Sequence, residues 1–267
     1  MLKRITNITS FIRSKAGFEP EVGIILGTGL GGLADKIDVV SSLEYSTIPG
    51  FPVSTVEGHR GRLIFGMLGG KRVVAMQGRF HYYEGYSMQE VTLPVRVMKL
   101  LGIKYLFVSN ASGGVNPEFR IGDLMVITDH INLIPNPLIG KNLSEFGERF
   151  PPMNNAYDKE LILKADKIGE EQGVKLKYGC YVGTTGPSLE TQKEYRYFNI
   201  IGGDAVGMST TPEVIVAAHC RIPVFAISVI TNMGLVDEES SHEEIQVEGA
   251  RAEEKMTRVF TEMLKRL

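Results

Sequence analysis

Short apolar runs alternate along this chain with segments of helical period. Val22–Leu26 is a continuous apolar run that stops at Gly27-Thr28-Gly29. Arg62–Leu68 and Lys71–Gln77 flank Gly69-Gly70 and predict a hairpin. The run 105–109 reads as a buried strand opening into Asn110-Ala111-Ser112-Gly113-Gly114, and 124–128, 176–182 and 224–229 read as further strands. Between them, Ser87 and Glu90 have capping-box spacing ahead of Val91, Val95 and Met98, with Pro94 expected to kink that helix or delay its start. Leu161, Ala165 and Ile168 share a helical face that Gly173 ends. Thr191 with Glu194 and Ser241 with Glu244 repeat the capping-box spacing, and Thr211-Pro212-Glu213 has the order that opens a helix. The last segment places Ile245, Ala252, Met256, Val259, Met263 and Leu267 roughly on one face. Strands and helices alternate without internal repeat or linker, so one α/β domain over residues 1–267 is predicted. The proline-rich stretch 136–156 is the least regular and is a candidate exposed or functional loop.

Composition narrows the partners. The 267 residues carry 29 Lys+Arg against 31 Asp+Glu, a net charge of −2, which removes the simplest electrostatic case for nucleic acid. No apolar run approaches the ~20 residues of a membrane span, and MLKRITNITS has no secretory apolar stretch. With Cys180 and Cys220 the only cysteines, neither a disulfide framework nor a cysteine zinc site is expected. The five histidines show no metal-ligand spacing, so no metal is expected either. A cytoplasmic protein acting on small molecules is what remains.

The candidate chemistry sits at strand ends. Gly27-Thr28-Gly29-Leu30-Gly31-Gly32 satisfies GxGxxG, but a dinucleotide site needs a crossover helix and an acid closing the next strand. The segment after it is short for such a helix, and the one suitable acid, Glu44, follows a poor strand. An anion-binding loop, in which backbone N–H groups and the Thr28 hydroxyl face the ligand, needs less. A plain turn is the third alternative. Arg79 and His81 alternate around Phe80 and would share a face in an extended segment, as a solvated edge or as a site for an oxyanion. Ser209 lies just ahead of the Thr211-Pro212 helix start, as an ordinary cap or an anion contact. Asn232 ends a strand where an interior amide needs a polar partner. Together Thr28, Arg79, Ala111 and Asn232 point to an anion held beside a neutral polar ligand.

With these segments in place the chain resembles the trimeric purine nucleoside phosphorylases that favour 6-oxopurines. The matching stretches run in order from GTGLGGL at 27–33 through PVSTVEGHRG at 52–61, GRFHYYEG at 78–85, SNASGGVNP at 109–117 and DHINL at 129–133. RFPPMNNAYD at 149–158, GPSLET at 186–191, DAVGMSTTPEVIVAAHC at 204–220, SVITN at 228–232 and SHEEI at 241–245 follow. The resemblance implies an α/β fold with a central mixed, partly barrel-like sheet flanked by helices. It implies reversible phosphorolysis of inosine and guanosine to free base and α-pentose 1-phosphate, with phosphate as co-substrate, no cofactor, and a homotrimer. It assigns Thr28, Arg79, His81, Ser209 and the Ala111 amide to phosphate, with His59 beside them. Tyr83 and Met208 go against the sugar, His242 to the 5′-hydroxyl, and Glu190 and Asn232 to the purine. Tyr181 is implied to wall the base pocket, and Phe146 to be lent across the interface to a neighbour's sugar site. Where many relatives carry an aromatic, this chain has Leu189, which loses stacked or edge-to-face geometry.

These residue types suit the chemistry. Cleaving the N-glycosidic bond builds positive charge on the sugar and negative charge on the purine, and the enzyme must stabilise both in the transition state. Asn232 would keep a proton at N7 and Glu190 would accept from N1–H, so adenosine, which offers N1 a lone pair, should be rejected. Glu84 is expected to orient His81, whereas His130 and His219 are expected to be structural. A phosphorylase of 5′-methylthioadenosine is the competing reading within the fold; a nicotinamide enzyme or a non-catalytic nucleotide-binding protein competes from outside it.

Overall fold

The computed structural model describes residues 1–27, 30–55, 60–235 and 242–267, apart from the side chains of His242 and Gln246. Its strands are β1 (Val22–Leu26), β2 (Asp38–Glu44), β3 (Arg62–Leu68), β4 (Lys71–Gln77), β5 (Tyr105–Gly114), β6 (Leu124–Asn132), β7 (Leu176–Gly183), β8 (Ala205–Gly207) and β9 (Val224–Met233). They form one sheet in the order β2-β3-β4-β1-β5-β8-β7-β6-β9, and β9 pairs back onto β5. The last five strands therefore close into a small mixed barrel, to which the other four are attached through β1. β4, β1, β5 and β9 are parallel neighbours, so their C-terminal ends gather at one edge, where ligands collect in such sheets.

The helices are α1 (Leu2–Ala16), α2 (Met88–Val91), α3 (Leu93–Leu101), α4 (Lys159–Gln172), α5 (Gln192–Ile200), α6 (Thr211–His219) and α7 (His242–Lys265). β1 is buried throughout because both of its faces are covered. Ile25 packs into the layer of α1 and α3, while Ile24 and Leu26 pack with Met256 and Phe260 of α7. The Ser87–Glu90 capping box forms as expected, and Pro94 splits the predicted helix into α2 and α3. Gly173 ends α4 in the left-handed region at φ 63°. The sequence pattern did not predict α1, whose Ile5, Ile8 and Ile12 make its buried stripe, nor β8. Ser241, the proposed cap of α7, lies outside the described residues.

Two expectations need correction. The predicted strands at 105–109 and 224–229 continue to Gly114 and Met233, so Asn110–Gly114 is strand and not loop. The β5 extension holds polar residues that are satisfied by β9: Ser112 and Ser228 share a hydrogen bond of 2.5 Å, and the Ser228 hydroxyl donates to Asn110 at 2.6 Å. After β1, the glycine segment turns through a short 3₁₀ helix, Gly31–Lys36, into β2, which pairs antiparallel with β3. A nicotinamide fold needs a crossover helix and a parallel strand there, so that alternative falls. The Gly32 and Leu33 amides donate to the Glu253 carboxylate of α7, which fills this part of the predicted anion loop from within.

Candidate active site

At the gathered strand ends lies a cleft, open to solvent, with about 110 Å³ of room inside it. Arg79, His81 and Tyr83 reach it from the segment after β4, Ala111 from β5, and Met208 and Ser209 from the segment between β8 and α6. Glu190 lines it from the segment after β7, and Asn232 from β9. Residues that the sequence scattered over more than 150 positions thus share one small space.

One end of the cleft gathers a guanidinium and hydroxyl groups. Arg79 is 1% exposed, and its Nε and Nη2 donate to the two carboxylate oxygens of Glu213 at 3.1 and 3.0 Å. The fork expected to grip phosphate is therefore already closed on a carboxylate. Nη1 donates to the Ser109 carbonyl at 2.8 Å and to the Ser209 hydroxyl at 3.1 Å, which aims this corner of the guanidinium at the cleft. Next to Ser209, Thr210 has φ 67°, a strained position for a β-branched residue, and Asn110 Nδ2 donates to its hydroxyl at 2.8 Å. Thr210, not Thr211, is the residue that precedes α6. On β5, pairing with β1 ends at Val108 and pairing with β8 begins at Gly113, which leaves the edge at Ala111 between the two.

His81 completes this end. Its Nδ1 lies 3.0 Å from Glu84 Oε1, and its ring stacks on Tyr83 with centroids 4.7 Å apart. Burial pushes the imidazole below its ordinary value, against the pull of the carboxylate. Burial also works to raise the Glu84 carboxyl, but hydrogen bonds from His81 and Thr55 outweigh it and hold the group down at about 2. A neutral His81 whose Nδ1–H is given to Glu84 keeps Nε2 as its acceptor nitrogen.

The other end is neutral except for one carboxylate. Glu190 Oε1 accepts from the Thr184 hydroxyl and Oε2 from the Tyr195 hydroxyl, both at 3.2 Å. Burial raises its pKa, and these hydrogen bonds oppose the rise. Asn232 is placed by a β-bulge. The β5–β9 register slips between Ser112 and Gly113, so that Ile230 faces Ser112 while Asn232 faces Gly113. The extra residue, Thr231, turns the Asn232 amide toward the cleft. Leu189, 46% exposed, lies along this wall.

Several expected site residues are placed differently. Tyr181 is fully buried behind Gly207, where a side chain on the glycine would meet its hydroxyl, so it does not wall the cleft. Phe146 is 7% exposed, packed within its own chain under the Arg96 guanidinium at 5.0 Å, and so is not available to a neighbour. The exposed phenylalanine of that loop is Phe150, at 85%. Thr28 and His59 lie outside the described residues, and His242 is described only as the first residue of α7. His130 and His219 have structural partners, Tyr157 and the pair Arg96 and Asn142. Sequence reasoning missed Glu213, read as an ordinary first-turn acid, and Tyr195, which gave no signal beyond its place in a helix.

The family model of the Phosphorylase superfamily matches residues 21–265. A purine nucleoside phosphorylase 1 of Bacillus subtilis (strain 168) is 54% identical over 248 residues, covering 92% of each chain. Two crystal structures of Schistosoma mansoni purine nucleoside phosphorylase, one in complex with inosine and one with adenosine, superpose with TM-scores of 0.95 at 44% identity. The inosine complex covers 99% of this chain and 96% of its own, the adenosine complex 99% and 97%.

Proposed function

The chain belongs to the Phosphorylase superfamily, and from that premise we propose that it phosphorolyses 6-oxopurine nucleosides such as inosine and guanosine. The observation that carries this reading is one cleft with an anion end, Arg79, Ser209, His81 and the Ala111 edge, set against a base end, Glu190 and Asn232. Phosphate at the first end is the nucleophile at C1′ and also a negative charge beside the developing oxocarbenium ion. Glu213 fixes the Arg79 plane in advance, so no reorganisation is needed as charge develops. Asn232 meets N7 as the departing purine gains electron density, and Glu190 accepts from N1–H. Met208 and Tyr83 also line the cleft and are assigned to the sugar. By the same resemblance Thr28 and His59 join the phosphate end and His242 takes the 5′-hydroxyl. Phosphate is a co-substrate, and the reaction requires neither metal nor organic cofactor.

We also assign a homotrimer acting as one domain per chain in the cytoplasm. The exposed Leu133, Ile139 and Phe150 of the irregular loop support association, and the free Cys180 and Cys220 suit a reducing compartment. Mixing the protein with inosine and phosphate and following hypoxanthine tests the activity. Release from 5′-methylthioadenosine alone would move the assignment to that substrate, and silence with both would end it. Light scattering tests the trimer.

A further inference from the structure

Tyr195 occupies a position that no step of the mechanism above uses. It lies in α5, one turn after the Thr191 cap, and is 5% exposed, yet its phenol reaches the cleft. Its hydroxyl donates to Glu190 Oε2 at 3.2 Å and accepts from Asn232 Nδ2 at 3.4 Å. Two glycines make the notch for it. A side chain at Gly234 would collide with the ring, and a Cβ at Gly113 would come within 3.1 Å of the hydroxyl.

We propose that Tyr195 is a specificity-determining residue whose hydroxyl binds the 6-substituent of the purine. The inference rests on the reading that Glu190 holds N1–H and Asn232 holds N7. In a purine the exocyclic atom on C6 lies on the edge between N1 and N7. A group that bridges the residue at N1 and the residue at N7 therefore stands where that atom arrives. When N1–H takes over the Glu190 oxygen, the phenol is released, and rotation about its C–O bond turns the O–H toward O6. The adjacent Asn232 N–H remains a donor to the same region. Base binding thus replaces the internal chain Glu190–Tyr195–Asn232 with bonds from the same groups to N1–H, O6 and N7, leaving no buried polar atom without a partner.

The test compares inosine with 6-thioinosine, which keeps N1–H and N7 but presents a weakly accepting thione, at saturating phosphate in the wild type and Tyr195→Phe. The phenylalanine keeps the ring in its notch and removes only the hydroxyl. The variant is expected to lose about tenfold in kcat/KM with inosine and no more than about twofold with 6-thioinosine. Equal losses on both substrates would make Tyr195 a prop for Glu190 and Asn232 and overturn the proposal, as would no loss on either. Wild-type silence toward inosine would instead remove the phosphorolysis reading on which the inference rests. A crystal of the wild type with hypoxanthine decides the contact without a variant: a phenol oxygen within hydrogen-bond distance of O6 supports it, and one beyond 4 Å, roughly the limit for even a weak polar contact, overturns it.

Discussion

At the anion end of the cleft the decisive charge, Arg79, is 1% exposed and bonded in plane to Glu213; at the base end Glu190 is half-buried and shares its oxygens with two neutral hydroxyls. The first arrangement is complete without a ligand, because a carboxylate inside the protein already compensates the guanidinium. The second is provisional: its hydrogen bonds are made among site residues and must be exchanged for bonds to the base. A fixed charge suits the ligand proposed for that end, inorganic phosphate, which never varies. An exchangeable network suits discrimination, because a base that cannot replace the internal bonds leaves buried groups unsatisfied.

The largest effect is expected where the charge is fixed. Arg79→Ala leaves Glu213 buried and unpaired, a loss of about 3–5 kcal/mol in denaturant unfolding, with phosphorolysis abolished at ordinary phosphate. The double variant Arg79→Met with Glu213→Leu should recover most of the stability and none of the activity. If Arg79→Ala unfolds like the wild type, the ion pair is not the anchor described here. Next comes Asn232→Ala. Removing a hydrogen-bonding group at the site of developing charge lowers kcat by about 10²–10³. A change confined to KM would place Asn232 in ground-state binding alone.

Glu190 comes third, and its pH dependence sharpens the contrast. Because burial raises its pKa, protonation begins at a higher pH than for an exposed glutamate. As the pH falls from about 8 to about 5, toward the ordinary carboxylate value of about 4.3, the protonated fraction rises and the preference for inosine over adenosine in kcat/KM narrows. In Glu190→Gln the preference should be weak and flat across the same range, and a steep dependence would place the titrating group elsewhere. The stability sign follows. A pKa raised on folding contributes stability that is present at acid pH and lost as pH rises through the folded value. Glu190→Gln should therefore unfold at a higher temperature than the wild type at neutral pH, with the gap closing in acid.

The same contrast governs what could be read from the sequence. Strand starts were legible because apolar runs with both faces buried announce themselves, as in Val22–Leu26. Strand ends were not: β5 continues past Ser109 through Asn110 and Ser112, polar residues that a hydrophobicity pattern takes for loop but that bond to Ser228 of β9 and, from Asn110, to Thr210. At the site, the residues after apolar strands, Arg79 and Asn232, carried a signal. Glu213 did not, because an acid in the first turn of a helix has an ordinary explanation in the helix dipole. Tyr195 is invisible for a deeper reason. Its partners are set by the glycines at 113 and 234 and by the bulge at Thr231, all distant in sequence.

Leu189 is the smallest test. It lies on the cleft wall beside Glu190 and is 46% exposed, so a larger side chain there meets open space and not a packed core. Leucine gives the purine an apolar contact without the quadrupole that favours offset stacking or an edge-to-face approach. Leu189→Phe should restore about 0.5–1.5 kcal/mol of base affinity. That gain corresponds to a KM for inosine lowered by about two- to tenfold, with kcat nearly unchanged, because a wall that contacts base equally in ground and transition states binds uniformly. Adenosine, with the same π face, should gain as much. An improvement limited to inosine would mean that this wall takes part in discrimination and that the division between a fixed anion end and a discriminating triad of Glu190, Tyr195 and Asn232 is drawn too narrowly.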